Sequence, residues 1–205
     1  MKALKYDPLD IVVTGVGGQG NVLASQVLGL ALLTAGYEVT VGETYGLSQR
    51  GGSVTSQVRV SSGPVLGPMM PDHRATAIVS LEPLEALRLL GVYGHPGVVV
   101  LTNDRPLRPL GVLAGEQLYP EPAELRATLE SLCAKLYWLP ATAAALELGN
   151  HILANVVLLG ALCGLDLLPI GAAEVEAALG DMFPESKMAL NREALAKGLA
   201  LVRAA

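Results

Sequence analysis

Residues 11–20 read Ile-Val-Val-Thr-Gly-Val-Gly-Gly-Gln-Gly: a β-branched run that breaks into glycine and gives way to a long apolar segment. No other stretch limits the possible folds so sharply. Ile11 to Thr14 suits a buried strand. From about Asn21 to Ala35 the chain carries Val22, Leu23, Val27, Leu28, Leu30, Ala31, Leu32 and Leu33, apolar nearly all round. A helix of that kind is covered on more than one side, and Gly36 stops it. Glu38 to Glu43, built on Val39 and Val41, reads as a second strand. Strand, helix and strand in succession predict a βαβ unit, a parallel pair joined by a right-handed crossover.

The spacing Gly15-x-Gly17-x-x-Gly20 lies directly after the strand and directly before the helix, the context in which such a motif has physical meaning. Glycine lets backbone turn tightly and approach a ligand without a Cβ in the way. The helix that starts at Asn21 then offers unpaired N–H groups and a partial positive charge to an anion. Gly15, Gly17, Gly18, Gln19, Gly20 and Asn21 are therefore candidate ligands of a phosphate or another anion. The plainer reading is a close strand–helix crossing, although Gly18 makes the loop richer than packing requires. A P-loop is excluded, since Gly20 is followed by Asn21-Val22 and not by Lys-Ser/Thr. A nicotinamide dinucleotide site would want an acid at the end of the second strand. Glu43, 23 residues after Gly20, meets that loosely, so a stand-alone NAD(P)-dependent oxidoreductase stays open.

A second glycine loop, Gly42-Glu-Thr-Tyr-Gly-Leu-Ser-Gln-Arg-Gly-Gly-Ser53, follows the second strand on the same sheet edge. Ligands of open α/β sheets bind at that edge. Gln49, Arg50, Gly51, Gly52 and Ser53 are candidates there, because a guanidinium among glycines can hold a phosphate or carboxylate in bidentate fashion. The competing reading is a Gly-Gly turn with Arg50 solvated.

Ser53 to Ser61 alternates Val54, Ser56, Val58 and Val60 with Thr55, Gln57 and Arg59, a period of two with one apolar and one wet face. This predicts an antiparallel β-hairpin insertion over about residues 53–70, turning near Ser62-Gly63-Pro64. Further elements are expected at Ala75–Leu81 (strand), Glu82–Leu90 (helix, Pro83 in its first turn), Gly97–Thr102 (strand), Pro122–Lys135 (helix) and Leu136–Leu139 (strand), with loop from Asn103 to Pro120. Helices follow at Ala141–Ala161, broken near Gly149, at Ala172–Leu179, stopped by Gly180, and at Ser186–Val202, where Met188, Leu195, Leu199 and Val202 share a face. The whole reads as one α/β domain over residues 1–205: a Rossmann-like three-layer domain with a parallel central sheet, the hairpin insertion and a helical C-terminal part from about 141 to 205.

Composition narrows the function. The chain has 205 residues, 51% of them hydrophobic and only 16% charged, which predicts that another subunit covers part of its surface. A net charge of −5 argues against nucleic acid. Cys133 and Cys163 are its 2 cysteines, too few for a disulfide framework, a zinc knuckle or an iron–sulfur cluster, and they fit a reducing cytoplasm. Met1 to Asp10 mixes charges without the apolar core of a secretory signal. The longest apolar run, Ile152 to Leu165, is interrupted by Asn155 and is shorter than the roughly 20 residues a membrane span needs. His73, His95 and His151 are isolated and read as surface or capping residues. Glu82 and Glu85 suit a helix N-terminus rather than a catalytic pair. Asp72-His73 has no serine in a G-x-S-x-G elbow to serve, and Cys133, Cys163 and Trp138 read as core packing.

With both loops read, the chain resembles the gamma-type component of the 2-oxoacid:ferredoxin oxidoreductases. The residues that carry the likeness are Gly15-Val-Gly-Gly-Gln-Gly20, Tyr45-Gly-Leu-Ser-Gln-Arg-Gly-Gly-Ser-Val54 and Val58-Arg-Val60. Leu81-Glu-Pro-Leu-Glu-Ala-Leu-Arg88, Leu148-Gly-Asn150, Asn155 to Leu162 and Phe183-Pro184 extend it over about residues 11 to 190. The Ser-Gln-Arg-Gly-Gly form and the segment after Leu81 look most like the indolepyruvate-type beta subunit. Tyr45-Gly46-Leu47 stands where that pattern usually has His-Gly-Met, which leaves the particular oxoacid open. The resemblance implies an accessory subunit of an enzyme that decarboxylates a 2-oxoacid oxidatively, with coenzyme A as co-substrate and ferredoxin as acceptor. The Gly-Asp-Gly…Asn-Asn pattern that holds magnesium and thiamine diphosphate is missing here. These cofactors and the iron–sulfur clusters are therefore expected on a large partner subunit, with ferredoxin reached through the complex and no cofactor on this chain. The two loops would then hold or gate coenzyme A, or else serve as a ligand-free scaffold that docks the partner.

Overall fold

The computed structural model describes residues 2–45, 52–108, 112 and 118–204. Strand β1 (Leu9–Val16) feeds helix α1 (Asn21–Thr34) and strand β2 (Glu38–Tyr45). Then come β3 (Ser53–Ser61), β4 (Ala77–Ser80), α2 (Pro83–Tyr93), β5 (Val99–Asn103), α3 (Pro122–Leu132) and β6 (Lys135–Leu139). The C-terminal part is helical: α4 (Ala141–Glu147), a 3-10 turn at His151–Leu153, α5 (Ala154–Cys163), α6 (Ala172–Met182) and α7 (Glu185–Arg203).

The strands form one sheet in the order β2-β3-β1-β4-β5-β6. β1, β4, β5 and β6 are parallel neighbours, whereas β3 runs antiparallel to both β1 and β2. The expected α/β class and its layering hold: helices cover both faces, and each face has its own apolar core. Ile11, Val13, Leu28, Val58, Leu158 and Leu195 belong to one core. Val12, Ile78, Val100, Leu125 and Leu129 belong to the other.

Two expectations about the sheet are corrected. β1 and β2 are not neighbours, because β3 lies between them and uses both sides of its hydrogen-bond ladder. The sheet is therefore mixed rather than parallel. The predicted hairpin has no second arm: residues 62–70 leave the strand. Pro64 and Pro68 have no N–H to give a ladder, and the segment instead crosses the sheet, where Met70 joins the second core. Arg59 holds it there, Nη1 donating to the carbonyls of Gly67 at 3.1 Å and Met69 at 2.9 Å. The face of β3 that looked wet is thus buried with its polar groups satisfied. Gln57 donates to the Tyr93 hydroxyl at 2.9 Å, and Arg59 pairs with Asp10 at 2.8 Å with both side chains enclosed.

Gly180 does not stop α6, which runs to Met182 and ends where Phe183 turns extended before Pro184. Proline disfavours the helical conformation in the residue before it. Gly149, with φ 83°, does mark the break between α4 and the turn that leads to α5. α5 and α7 cross at glycines: a Cβ on Gly160 would stand 2.1 Å from the Leu195 carbonyl, and one on Gly198 would stand 1.8 Å from that of Val157.

Candidate functional site

The first glycine loop leaves β1 at the carboxyl edge of the parallel strands. Gln19 staples it. Its Oε1 accepts from the Val16 N–H at 2.7 Å, and its Nε2 donates to the Leu81 carbonyl at the end of β4 at 3.0 Å. A Cβ on Gly15 would meet Gln19 Oε1 at 2.7 Å and Asn21 Oδ1 at 2.9 Å. Gly20 has φ +87°, and its Cβ would fall 2.2 Å from Asn155 Nδ2. That same amide, buried on α5, donates to the Gly20 carbonyl at 3.3 Å. Gly15 and Gly20 are therefore glycines because neighbours press on them. Gly18 differs: φ is +101° and nothing lies within 4 Å of a Cβ built there, so its freedom serves the loop's shape and leaves its outer side open.

Asn21 is buried. Its Nδ2 reaches the Val54 carbonyl at 3.5 Å, and its Oδ1 has no hydrogen-bond partner. Gly20, at the N-cap of α1, supplies no side-chain cap. The N–H groups of Gly18 and Gly20 likewise have no partner among the described residues.

The two loops meet. The Gly17 N–H donates to the Gly52 carbonyl at 2.8 Å, and Ser53 pairs with Val16 across the ladder. Ser53 then donates through Oγ to the buried carboxylate of Glu85 at 2.6 Å, which also takes Arg88 Nη1 at 2.6 Å. Gln49, Arg50 and Gly51 lie outside the described residues.

Glu82 caps α2, accepting the Glu85 N–H at 2.9 Å, as the helix-start reading expects. It also accepts from the Tyr119 hydroxyl and, at 3.4 Å, from the Leu107 N–H. Burial pushes its carboxyl above the usual range, while Tyr119 and the two backbone N–H groups pull it back. Burial, and then this bond to Glu82, push the Tyr119 phenol well up.

A cavity of about 590 Å³ opens beside the loop. Gly17, Gly18, Gln19 and Leu81 line it together with Arg105 to Leu107, and so do Leu146, His151 and Ile152. Asn103 and Thr142 line its floor. The Asn103 amide donates to Thr142 Oγ1 at 2.9 Å and accepts from the Thr142 N–H at 3.0 Å. Arg105, Asn103 and Thr142 escape a reading of the sequence, because they lie in a proline-rich loop, at a strand end and in a short helix. Asn155 had one signal, as the polar interruption of an apolar run.

His73 and His95 lie at a different pocket and bond backbone, Nδ1 of His73 to Gly94 and Nε2 of His95 to Ala75. Cys133 packs against one core and Cys163 against the other, on opposite faces of the sheet. Among the described residues no group of three or more His, Cys, Asp or Glu side chains is placed to hold a metal ion. No helix among these residues is long and apolar enough to cross a membrane.

Glu43 lies two residues before the end of β2, which stands two strand spacings, about 10 Å, from β1. It accepts from Gln26 Nε2 at 3.4 Å. The interposed β3 thus takes it away from where a dinucleotide ribose would need an acid.

Fold and site define an α/β protein whose two glycine loops meet at the carboxyl edge of its parallel strands, beside a cavity. The chain belongs to the pyruvate ferredoxin/flavodoxin oxidoreductase family, whose model matches residues 10–201. It is 41% identical to the indolepyruvate oxidoreductase subunit IorB of Pyrococcus horikoshii over 93% of this chain and 94% of that one. It is 36% identical to the IorB of Archaeoglobus fulgidus, over 93% of each. The keto/oxoacid ferredoxin oxidoreductase gamma subunit of Geobacter sulfurreducens superposes with a TM-score of 0.72 at 25% identity, covering 98% of this chain and 99% of that one.

Proposed function

We propose that this chain is the small subunit of an indolepyruvate-type 2-oxoacid:ferredoxin oxidoreductase, and that its two glycine loops hold the phosphate-bearing part of coenzyme A. The overall reaction takes a 2-oxoacid anion and the coenzyme A thiol to acyl-CoA, carbon dioxide, one proton and two electrons, the electrons passing on to ferredoxin. Thiamine diphosphate, magnesium and the iron–sulfur clusters belong to a larger partner. This chain's part is to bind and orient: backbone N–H groups at the start of α1 face an anion without a counter-charge to neutralise.

The observation that carries this reading is the Gly17–Gly52 hydrogen bond, which joins both loops into one surface at the mouth of the cavity. The relatives' names support the oxidoreductase class, with indolepyruvate as the oxoacid and ferredoxin as acceptor. The test is Arg50→Ala in the assembled complex. The Michaelis constant for coenzyme A is expected to rise while assembly holds. A constant that stays put while assembly fails would mean that the loops dock the partner and bind no ligand.

A further inference from the structure

We infer that Arg105 is the residue of this chain that pairs with the phosphate groups of the ligand; this rests on the coenzyme A reading above. The cavity's polar floor has little left to offer a ligand. The Asn103 amide is engaged at both ends, and so is that of Gln19. What stays free is donor in character: the N–H groups of Gly18 and Gly20, and the Arg105 guanidinium, which makes no hydrogen bond with any described residue and has the Asp104 carboxyl as a neighbouring charge. Gly18 and Arg105 line the same cavity. Exposed Leu107, Leu146 and Ile152 line it too, and they suit an uncharged stem rather than a second anion. A phosphate group on an uncharged arm is the ligand class that fits, and about 590 Å³ is within the usual range for such sites.

Arg105 also has a fixed base. Pro106 restricts the backbone that follows it. One residue further, the Leu107 N–H is tied to Glu82 Oε1, the oxygen that also takes the Tyr119 hydroxyl. A buried carboxylate therefore sets where the Arg105 wall stands, and the guanidinium itself is left for the ligand.

The test uses the assembled complex with Arg105→Ala and Arg105→Lys. Coenzyme A is the substrate, and 3′,5′-ADP is the inhibitor that carries the phosphates without the thiol arm. In Arg105→Ala the Michaelis constant for coenzyme A and the inhibition constant for 3′,5′-ADP should both rise about 10- to 100-fold. Turnover number and the constant for the oxoacid should not change. Lysine should recover part of the loss, since it keeps the charge but not the fork. The assignment falls if both constants are unchanged in Arg105→Ala, or if that variant loses its partner instead. Titration of the partner alone with coenzyme A separates the two levels. If the partner alone binds it as tightly as the complex does, the underlying reading fails. If the complex binds more tightly and Arg105→Ala is silent, only the assignment to Arg105 fails.

Discussion

Gly18 and Gly20 are two residues apart and have similar backbone angles, yet substitution should separate them. Alanine at Gly18 meets open space, so it costs only the left-handed conformation, about 1–2 kcal/mol. Alanine at Gly20 carries that cost and also drives into the Asn155 amide that holds the loop to α5. In thermal melts Gly20→Ala should lower Tm clearly more than Gly18→Ala. The Arg59–Asp10 pair gives a second contrast. Removing Arg59 strands a buried carboxylate and two carbonyls, and should cost about 3–5 kcal/mol by denaturant titration. Adding Asp10→Leu to Arg59→Met should recover much of that loss, because no uncompensated charge remains. Glu82 supplies a pH signature. Its folded carboxyl keeps a proton to higher pH than the unfolded one. Its favourable term is therefore present below the ordinary carboxylate range and is lost as pH climbs through the raised value. Glu82→Gln cannot titrate there, so Tm of the variant minus Tm of the parent should increase from about pH 4 towards neutrality.

At the scale of elements, the crossing of α5 and α7 is the least forgiving contact. The atoms facing Gly160 and Gly198 are backbone, which cannot swing aside as a side chain can. Gly198→Ala should cost about 3 kcal/mol, or prevent soluble expression, whereas Gly91→Ala in α2, with nothing within 4 Å, should stabilise by about 0.5–1 kcal/mol. These two substitutions look alike in sequence, since each puts alanine into a helix. The difference lies in what another helix places opposite, and local pattern does not carry that. The same limit explains which elements could be read in advance. α1 and β5 were legible because period and flanking glycine or proline act locally. The alternation of β3 was legible too, but not its place in the sheet, because both faces of its ladder are satisfied by strands that the chain reaches through different connections. Its polar side was expected in water. Arg59 and Gln57 are buried because Asp10, Tyr93 and the segment at 67–70 come from elsewhere to meet them.

Among the described residues, Asn21 Oδ1 and the N–H groups of Gly18 and Gly20 lie without partners at one end of the molecule, and Ser56 Oγ in mid-strand is a further unpartnered group. The glycine spacing pointed to that end, since loops after parallel strands share an edge whatever their sequence. Arg105 and Asn155 come to it through β5 and α5, and nothing local to either residue announces this. The remaining titratable groups are mostly committed within the fold: His95 to backbone, Asp10 to Arg59, Glu85 to Ser53 and Arg88. Burial drives the Cys163 thiol up to about 12, so the free side chain is no thiolate nucleophile near neutral pH. Cys133 is pushed in the same direction, again chiefly by burial, and packs against the other core. With its two cysteines packed against different cores, and with the resemblance placing thiamine diphosphate on a partner, the chain expressed by itself should carry neither iron nor thiamine diphosphate. The purified chain should be colourless, free of both by elemental and cofactor analysis, and inactive with any 2-oxoacid. Mixing it with the large subunit should restore coenzyme A-dependent reduction of ferredoxin, levelling off at equimolar subunits if they pair one to one. Sustained turnover by the isolated chain, after cofactor analysis has excluded contamination, would mean that chemistry resides in groups to which the fold gives other work.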